Sequence, residues 1–396
     1  MLTREENEAL VRVGPGTPGG ELLRRYWHPV AIAQELTDEN PTMTVRILGE
    51  TLVLFRDKSG RVGLLEDKCA HRNASLLYGR VEERGISCVY HGWLFDTEGN
   101  ILETPPEKND AILNHVKQTS YPVERFLGMY WAYLGPLPAP VIPHYDTFTR
   151  SDGKRSIVVH PDLDANWFQA MENSVDPAHL QVLHQEYIGR GRQPVNTTRG
   201  FTDDVKDFSF YVNDIGIMKH REYHNGSVEE HPLIFPNILR QGPSTQIRVP
   251  IDDEHTRHIH VLFEYTGKIE DNEADPPVEY LKPYKNPPDA LHPFTRFDAR
   301  SVLAQDHLAW ETQGPIADRT REHLSYSDRG VALLRKVMFE NMDKVKRGED
   351  PLGVIRDPNH EMIDTNLVDG LFGADGRNRA GAPPTPDAAA VQSYRQ

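Results

Sequence analysis

The chain has 396 residues, 38% of them hydrophobic, and 44 Lys and Arg against 59 Asp and Glu give a formal net charge of -15. At about 150 residues per domain this length predicts two or three domains. The acidic balance excludes a nucleic-acid binder or a polybasic membrane-surface protein, both of which need a basic surplus. Two cysteines rule out a disulfide framework, and no run reaches the roughly 18 apolar residues of a membrane helix. The opening MLTREENEAL lacks the basic start and apolar core of a secretory signal, so the cytoplasm is the expected compartment.

In chain order, Thr3 to Val13 predicts a short charged helix, then a Gly/Pro loop, then a second short helix in G-E-L-L-R-R-Y-W. Gly14, Gly16 and Gly19 spell G-x-G-x-x-G. A dinucleotide site needs a strand before those glycines, whereas a charged helical segment precedes them here, so a rigid turn is the better reading. From residue 42 the pattern turns to strands: M-T-V-R-I-L, T-L-V-L-F-R, a D-K-S-G turn, R-V-G-L-L-E, and a hairpin turning at Thr97–Asn100. The proline-rich stretch 135–143 marks a linker. Residues 165–190 read as largely helical, with a break at Asp176–Pro177. Residues 204–265 carry strands, clearest where Ile259, Val261, Phe263 and Tyr265 alternate with more polar positions. Helices return at 298–313 and 328–347. The expected division is 1–26 as N-terminal helices packing on the body, 27–138 as a small all-β domain, 139–370 as a mixed domain, and 371–396 as an extended or flexible tail.

Both cysteines fall in one pattern, Cys69-Ala-His71 and, 16 residues later, Cys88-Val-Tyr-His91. Structural zinc sites usually group Cys with Cys and His with His. The interleaved order suits a two-iron cluster in which one iron takes both thiolates and the other both imidazoles. Gly92 permits tight backbone there, and Trp93 and Phe95 can shield the group. The segments C-A-H-R-N-A-S-L and C-V-Y-H-G-W-L-F-D resemble the Rieske 2Fe–2S motif of the aromatic-ring-hydroxylating oxygenases.

The second dense segment runs N-W-F-Q-A-M-E-N-S-V-D-P-A-H-L-Q-V-L-H, from Asn166 to His184. Asp176 and His179 can share a helix face. His179 and His184 diverge by ~140° on a regular helix, so a helix end or distortion is needed to aim both at one metal. Two histidines and a carboxylate would make a facial triad with open positions for dioxygen on iron(II). Spacing alone does not identify that carboxylate. The segment is similar to the mononuclear-iron motif of Rieske oxygenases, especially the phthalate-dioxygenase-like branch. That resemblance covers nearly the whole chain up to about residue 350.

The resemblance implies that His179 and His184 are iron ligands and that Asp306 is the third, with His307 and Glu311 as nearby rivals. It implies that Asp176 links the iron histidine of one subunit to the second Rieske histidine of the next, in a homotrimer or stacked trimers. It also implies an α+β fold: an all-β Rieske domain plus a catalytic domain whose antiparallel sheet, flanked by helices, surrounds a deep pocket in a helix-grip or START-like arrangement. The cofactors would be one 2Fe–2S cluster and one mononuclear iron(II) per subunit. Electrons would come from NADH through a separate flavin and iron–sulfur reductase, since this chain has no credible nucleotide site. The substrates would be dioxygen and a small, often carboxylated aromatic, for which Arg240 and Arg248 are candidate anchors. Phthalate-type ring dihydroxylation is the leading expectation, and O-demethylation of a methoxylated lignin-type aromatic with formaldehyde release is the alternative. A Rieske electron carrier without a second iron and a zinc-bound structural protein are the competing classes.

Overall fold

The computed structural model describes residues 1–109, 111–184, 205–272, 274–284 and 302–365. The tail expected over 371–396 lies outside them. Among the described residues no helix is long and apolar enough to cross a membrane.

The chain forms two compact units, Val13–Ile142 and a second made of Met1–Arg12 with Pro143–Gln396. The boundary between the two units falls at Arg12/Val13. The first helix, Arg4–Val11, starts at a capping box in which Thr3 and Glu6 bond each other's backbone N–H. It buries Asn7, Leu10 and Val11, a stripe of helical spacing. The helix Pro18–Leu23 begins inside the glycine motif, capped by Thr17. A helix, not a strand, precedes those glycines.

The Val13–Ile142 unit holds three small antiparallel sheets. The strand Trp27–Ile32 pairs with Met129–Tyr133, a pairing that reading from residue 42 misses. All six of its positions are buried, so it shows no alternation to detect. Thr42–Ile47, Glu50–Arg56 and Val62–Glu66 form a meander, as the β-rich runs and the turns between them predict. The third sheet, Arg80–Glu82, Gly85–Ser87, Leu94–Phe95 and Ile101–Glu103, includes the predicted hairpin.

The other unit is built on an eight-stranded sheet among the described residues. Its order is Val205–Val212, Gly216–Tyr223, Val228–Ile234, Ile238–Gln241, Ser244–Pro250, Thr256–Tyr265, Gly153–Val159 and Val278–Tyr280. Every pair is antiparallel except the last. The helix Trp167–Ser174 packs on the Ser244–Pro250 strand and against the long helix Arg329–Lys346. Glu172 fixes that packing by accepting bonds from Arg319 (2.7 Å) and Arg335 (2.6 Å), both buried. Gly330 lies so close that a Cβ there would meet the Val175 carbonyl oxygen at 2.2 Å. The long helix thus presses on the turn that ends Trp167–Ser174.

Candidate active site: two metal centres

The first donor set sits in two loops, one between the strands Val62–Glu66 and Arg80–Glu82 and the other between Gly85–Ser87 and Leu94–Phe95. Cys69 and Cys88 are buried in the same apolar cluster as Phe55, Leu76, Ile86, Trp93 and Phe95. His71 and His91 are half-exposed, with ring centroids 4.6 Å apart, and Trp93 stacks on His71 at 4.4 Å. Gln118 secures the first loop, donating to the carbonyls of Glu66 (2.9 Å) and Lys68 (3.0 Å) and accepting from the Ala70 N–H (2.7 Å). The second loop turns at Gly92, whose φ of 75° is left-handed and therefore favours glycine. The two thiols are free and touch each other. Burial, and then the neighbouring Cys88, push the Cys69 thiol up to about 11. His71 Nδ1 is buried with no hydrogen-bond partner among the described residues. Two sulfurs and two imidazoles thus converge from paired loops, a donor set that fits an iron–sulfur centre and, on donors alone, zinc.

The second set lies where the helix Trp167–Ser174 ends. Val175 to Ala178 form a turn in which Asp176 accepts the Ala178 N–H at 2.7 Å. His179–Val182 then resumes the helix, which widens into a π-type turn at Leu183 and His184. Leu183 still bonds back to His179 as in a regular turn, and the winding changes only at Leu183 and His184. The two imidazoles nevertheless come together, with ring centroids 5.3 Å apart. The ligand atoms of His179, His184 and Asp306 all lie within 4.8 Å of one another, the only such group of three among the described residues. The Nε2 atoms of His179 and His184 stand 3.7 and 3.4 Å from Asp306 Oδ1. The His184 contact is too poorly aligned to be a hydrogen bond, which leaves a buried nitrogen facing the carboxylate without a partner among the described residues. Of the rivals, His307 turns to His258 (3.4 Å) and Glu311 accepts the Asp164 N–H (3.1 Å).

Each imidazole is held from behind. His179 Nδ1 lies 3.3 Å from Asp176 Oδ2, and His184 Nδ1 lies 2.7 Å from Gln305 Oε1. This backing by carboxylate or carbonyl is what metal-binding histidines use to fix ring and tautomer. Asn173 adds a long 3.5 Å bond to Asp306 Oδ1. Burial alone would raise the Asp176 carboxyl, but His179, the Ala178 N–H and Lys219 together hold it below its usual range. Lys219 is itself buried, its Nζ 3.3 Å from the Ser174 carbonyl, and burial pushes its ammonium down to about 7.

The two candidate arginines differ. Arg240 is occupied: its guanidinium bonds Thr365 (3.1 Å) and Asp146 (3.4 Å), a carboxylate that already offsets its charge. Arg248 is buried and bonds only neutral groups among the described residues, Ser174 Oγ at 2.6 Å and Gln246 Oε1 at 2.9 Å, with Trp310 against its face. Burial pushes it down to about 10, partly countered by Asp306. Gln305, Lys219 and the histidines near Arg248 escaped the sequence reading. His258-Ile-His260 carried a usable signal, because alternate strand positions share a face.

Residues 26–122 match the family described as Rieske 2Fe-2S domain, and residues 294–366 the one described as LigXa C-terminal domain like. The chain is 38% identical over 371 residues to the 5,5'-dehydrodivanillate O-demethylase oxygenase subunit of Sphingobium sp. (strain NBRC 103272 / SYK-6), covering 90% of this chain and 84% of that one. It is 31% identical to the phthalate 4,5-dioxygenase oxygenase subunit of Pseudomonas putida, covering 89% of each. Its fold matches Pseudomonas putida CBB5 NdmA (QL mutant with caffeine) with a TM-score of 0.60 at 21% identity, over 87% of this chain and 100% of that one.

Proposed function

The chain belongs to the Rieske non-heme iron oxygenases, as a terminal oxygenase subunit, and from that premise we propose that it O-demethylates a methoxylated aromatic carboxylate. The observation that carries this reading is the 38% identity, over 90% of the chain, to a subunit named as a dehydrodivanillate O-demethylase. Phthalate-type ring dihydroxylation is the second reading, favoured by the 31% identity to a phthalate 4,5-dioxygenase subunit.

In this proposal Cys69, Cys88, His71 and His91 hold a 2Fe–2S cluster, and His179, His184 and Asp306 hold one iron(II). When bound, the cluster supplies electrons singly and the iron supplies the site where dioxygen is activated. Arg248 anchors the substrate carboxylate, because it is a buried cation whose hydrogen-bond partners are neutral. Arg240 is left with a structural role. Asp176 orients His179 and reaches across a subunit boundary to the neighbour's cluster in a homotrimer or stacked trimers. NADH delivers electrons through a flavin and iron–sulfur reductase. Overall, methoxyarene, dioxygen, two electrons and two protons give a phenol, formaldehyde and water.

The test is a product assay with a surrogate reductase, NADH and heavy dioxygen on methoxybenzoates and phthalate. Formaldehyde in equal amount to a phenol that retains its original oxygen supports demethylation. A ring diol carrying two heavy oxygens refutes it in favour of the second reading.

A further inference from the structure

A buried polar patch around Arg248 lies beside His179, His184 and Asp306. Strand register sets Gln246 opposite His260 and Arg248 opposite His258, so these four side chains share one face of the sheet. His160, one residue past the Gly153–Val159 strand, stacks on His258 with centroids 4.9 Å apart and lies 4.2 Å from His260. His307, next to Asp306, closes the patch from the helix Val302–Thr312. The groups are linked in a chain. Ser244 Oγ is 3.3 Å from His260 Nδ1, His260 Nε2 is 2.9 Å from His258 Nε2, and His258 Nδ1 is 3.4 Å from His307 Nε2. Tyr284 bonds His160 Nδ1 at 2.7 Å.

Two simple roles fail. The four imidazoles are not grouped like a metal site, since among the described residues only His179, His184 and Asp306 converge in that way. Nor are they a cationic cluster: burial pushes His160 down to about 3 and His258 and His260 well below the usual range. His160, His258 and His260 are therefore neutral rings, each with one donor and one acceptor. The patch also holds unspent hydrogen-bonding capacity. His160 Nε2, Arg248 Nε and Trp310 Nε1 are buried without a hydrogen-bond partner among the described residues. Trp310 lies 5.5 Å from His307 and 6.1 Å from His258, with Arg248 over its ring at 5.6 Å, so these nitrogens belong to one patch. Buried donors of this kind call for a partner.

We propose that the patch recognises a ring hydroxyl, and that the substrate is an ortho-methoxyphenol bearing a carboxylate. Arg248 takes the carboxylate, and neutral His160, backed by His258, takes the phenolic oxygen next to the methoxy group. Tyr284 occupies His160 Nδ1, so Nε2 is the nitrogen left, and a phenolic oxygen meets it in either tautomer because it both donates and accepts. A second carboxylate would want a second cation, and Arg248 is the one cation bonded within the patch among the described residues. This inference rests on the O-demethylase reading.

The test measures binding of vanillate and of its deoxy analogue, meta-methoxybenzoate, to the holoenzyme by calorimetry, without reductant or dioxygen. Wild type should prefer vanillate on the order of 10–100-fold, the effect of leaving a buried polar group unpaired. In His160→Phe and His258→Asn the preference should fall below about threefold, the loss falling on vanillate, with both metals still loaded. If His258→Asn does not fold, His160→Phe decides alone. Equal affinities in wild type, undetectable binding of both acids, or a preference that survives the substitutions would overturn the proposal. Failure of the demethylation reading looks different: vanillate binds with the expected preference yet yields no formaldehyde once reductase, NADH and dioxygen are added.

Discussion

Replacing Gln305 with leucine probes the second metal centre without touching a ligand. Gln305 Oε1 accepts from His184 Nδ1 at 2.7 Å, and both residues are buried. That bond keeps the imidazole proton on Nδ1 and leaves the Nε2 lone pair facing Asp306, 3.4 Å away. Leucine fills similar space and accepts nothing, so the buried Nδ1–H loses its partner at a cost of about 1–3 kcal/mol. Loss of a group that backs a metal ligand typically weakens metal binding by about 10–100-fold. At about 1.4 kcal/mol per tenfold that is roughly 1.4–2.8 kcal/mol, inside the hydrogen-bond range. The two routes agree, so Gln305→Leu should weaken iron(II) binding by about 10–100-fold. The assay is anaerobic iron(II) titration against a competing chelator, on protein stripped of mononuclear iron. The visible absorbance of the 2Fe–2S cluster serves as internal control. A dissociation constant within about threefold of wild type, with the cluster intact, would refute the reasoning.

Three further outcomes follow from the geometry. Asp176→Asn should keep both metals loaded yet slow steady-state turnover strongly, and wild-type turnover in this variant would remove the bridging role. Arg248→Met should weaken binding of an aromatic carboxylate by on the order of 30-fold or more, while the corresponding amide binds as before. Equal losses for acid and amide would show a packing defect instead. Stability should fall with acid: His160, His231, His258 and His260 are buried with pKa values below the ordinary 6.5, so the unfolded chain binds more protons. Their contribution is complete above about pH 6.5 and is lost as the pH drops toward the folded values, at up to about 1.4 kcal/mol per pH unit for each group. A urea midpoint that stays constant from about pH 7 to about pH 5 would contradict this.

The parts of the site that were legible in sequence are those made locally. Cys69, His71, Cys88 and His91 lie in two short loops, and their spacing carries the chemistry. His179 and His184 are readable as residues, but their convergence is not, because a regular helix would turn them about 140° apart. Asp306 came from resemblance, since only the tertiary fold brings it to the histidines. Arg240 and Arg248 are equivalent in the sequence, because only the fold sets Asp146, distant in the chain, beside Arg240. Trp27–Ile32 escaped because a strand buried on both faces has no periodicity to read.

The spacing of His179 and His184 also bears on how such a chain can change over time. Deleting a single residue between the two histidines would set them four apart, and residues four apart share one face of a regular helix. The shorter interval therefore also aims both rings at one carboxylate. A change of one residue in the length of this segment is thus compatible with a metal site, and active chains with either interval are expected.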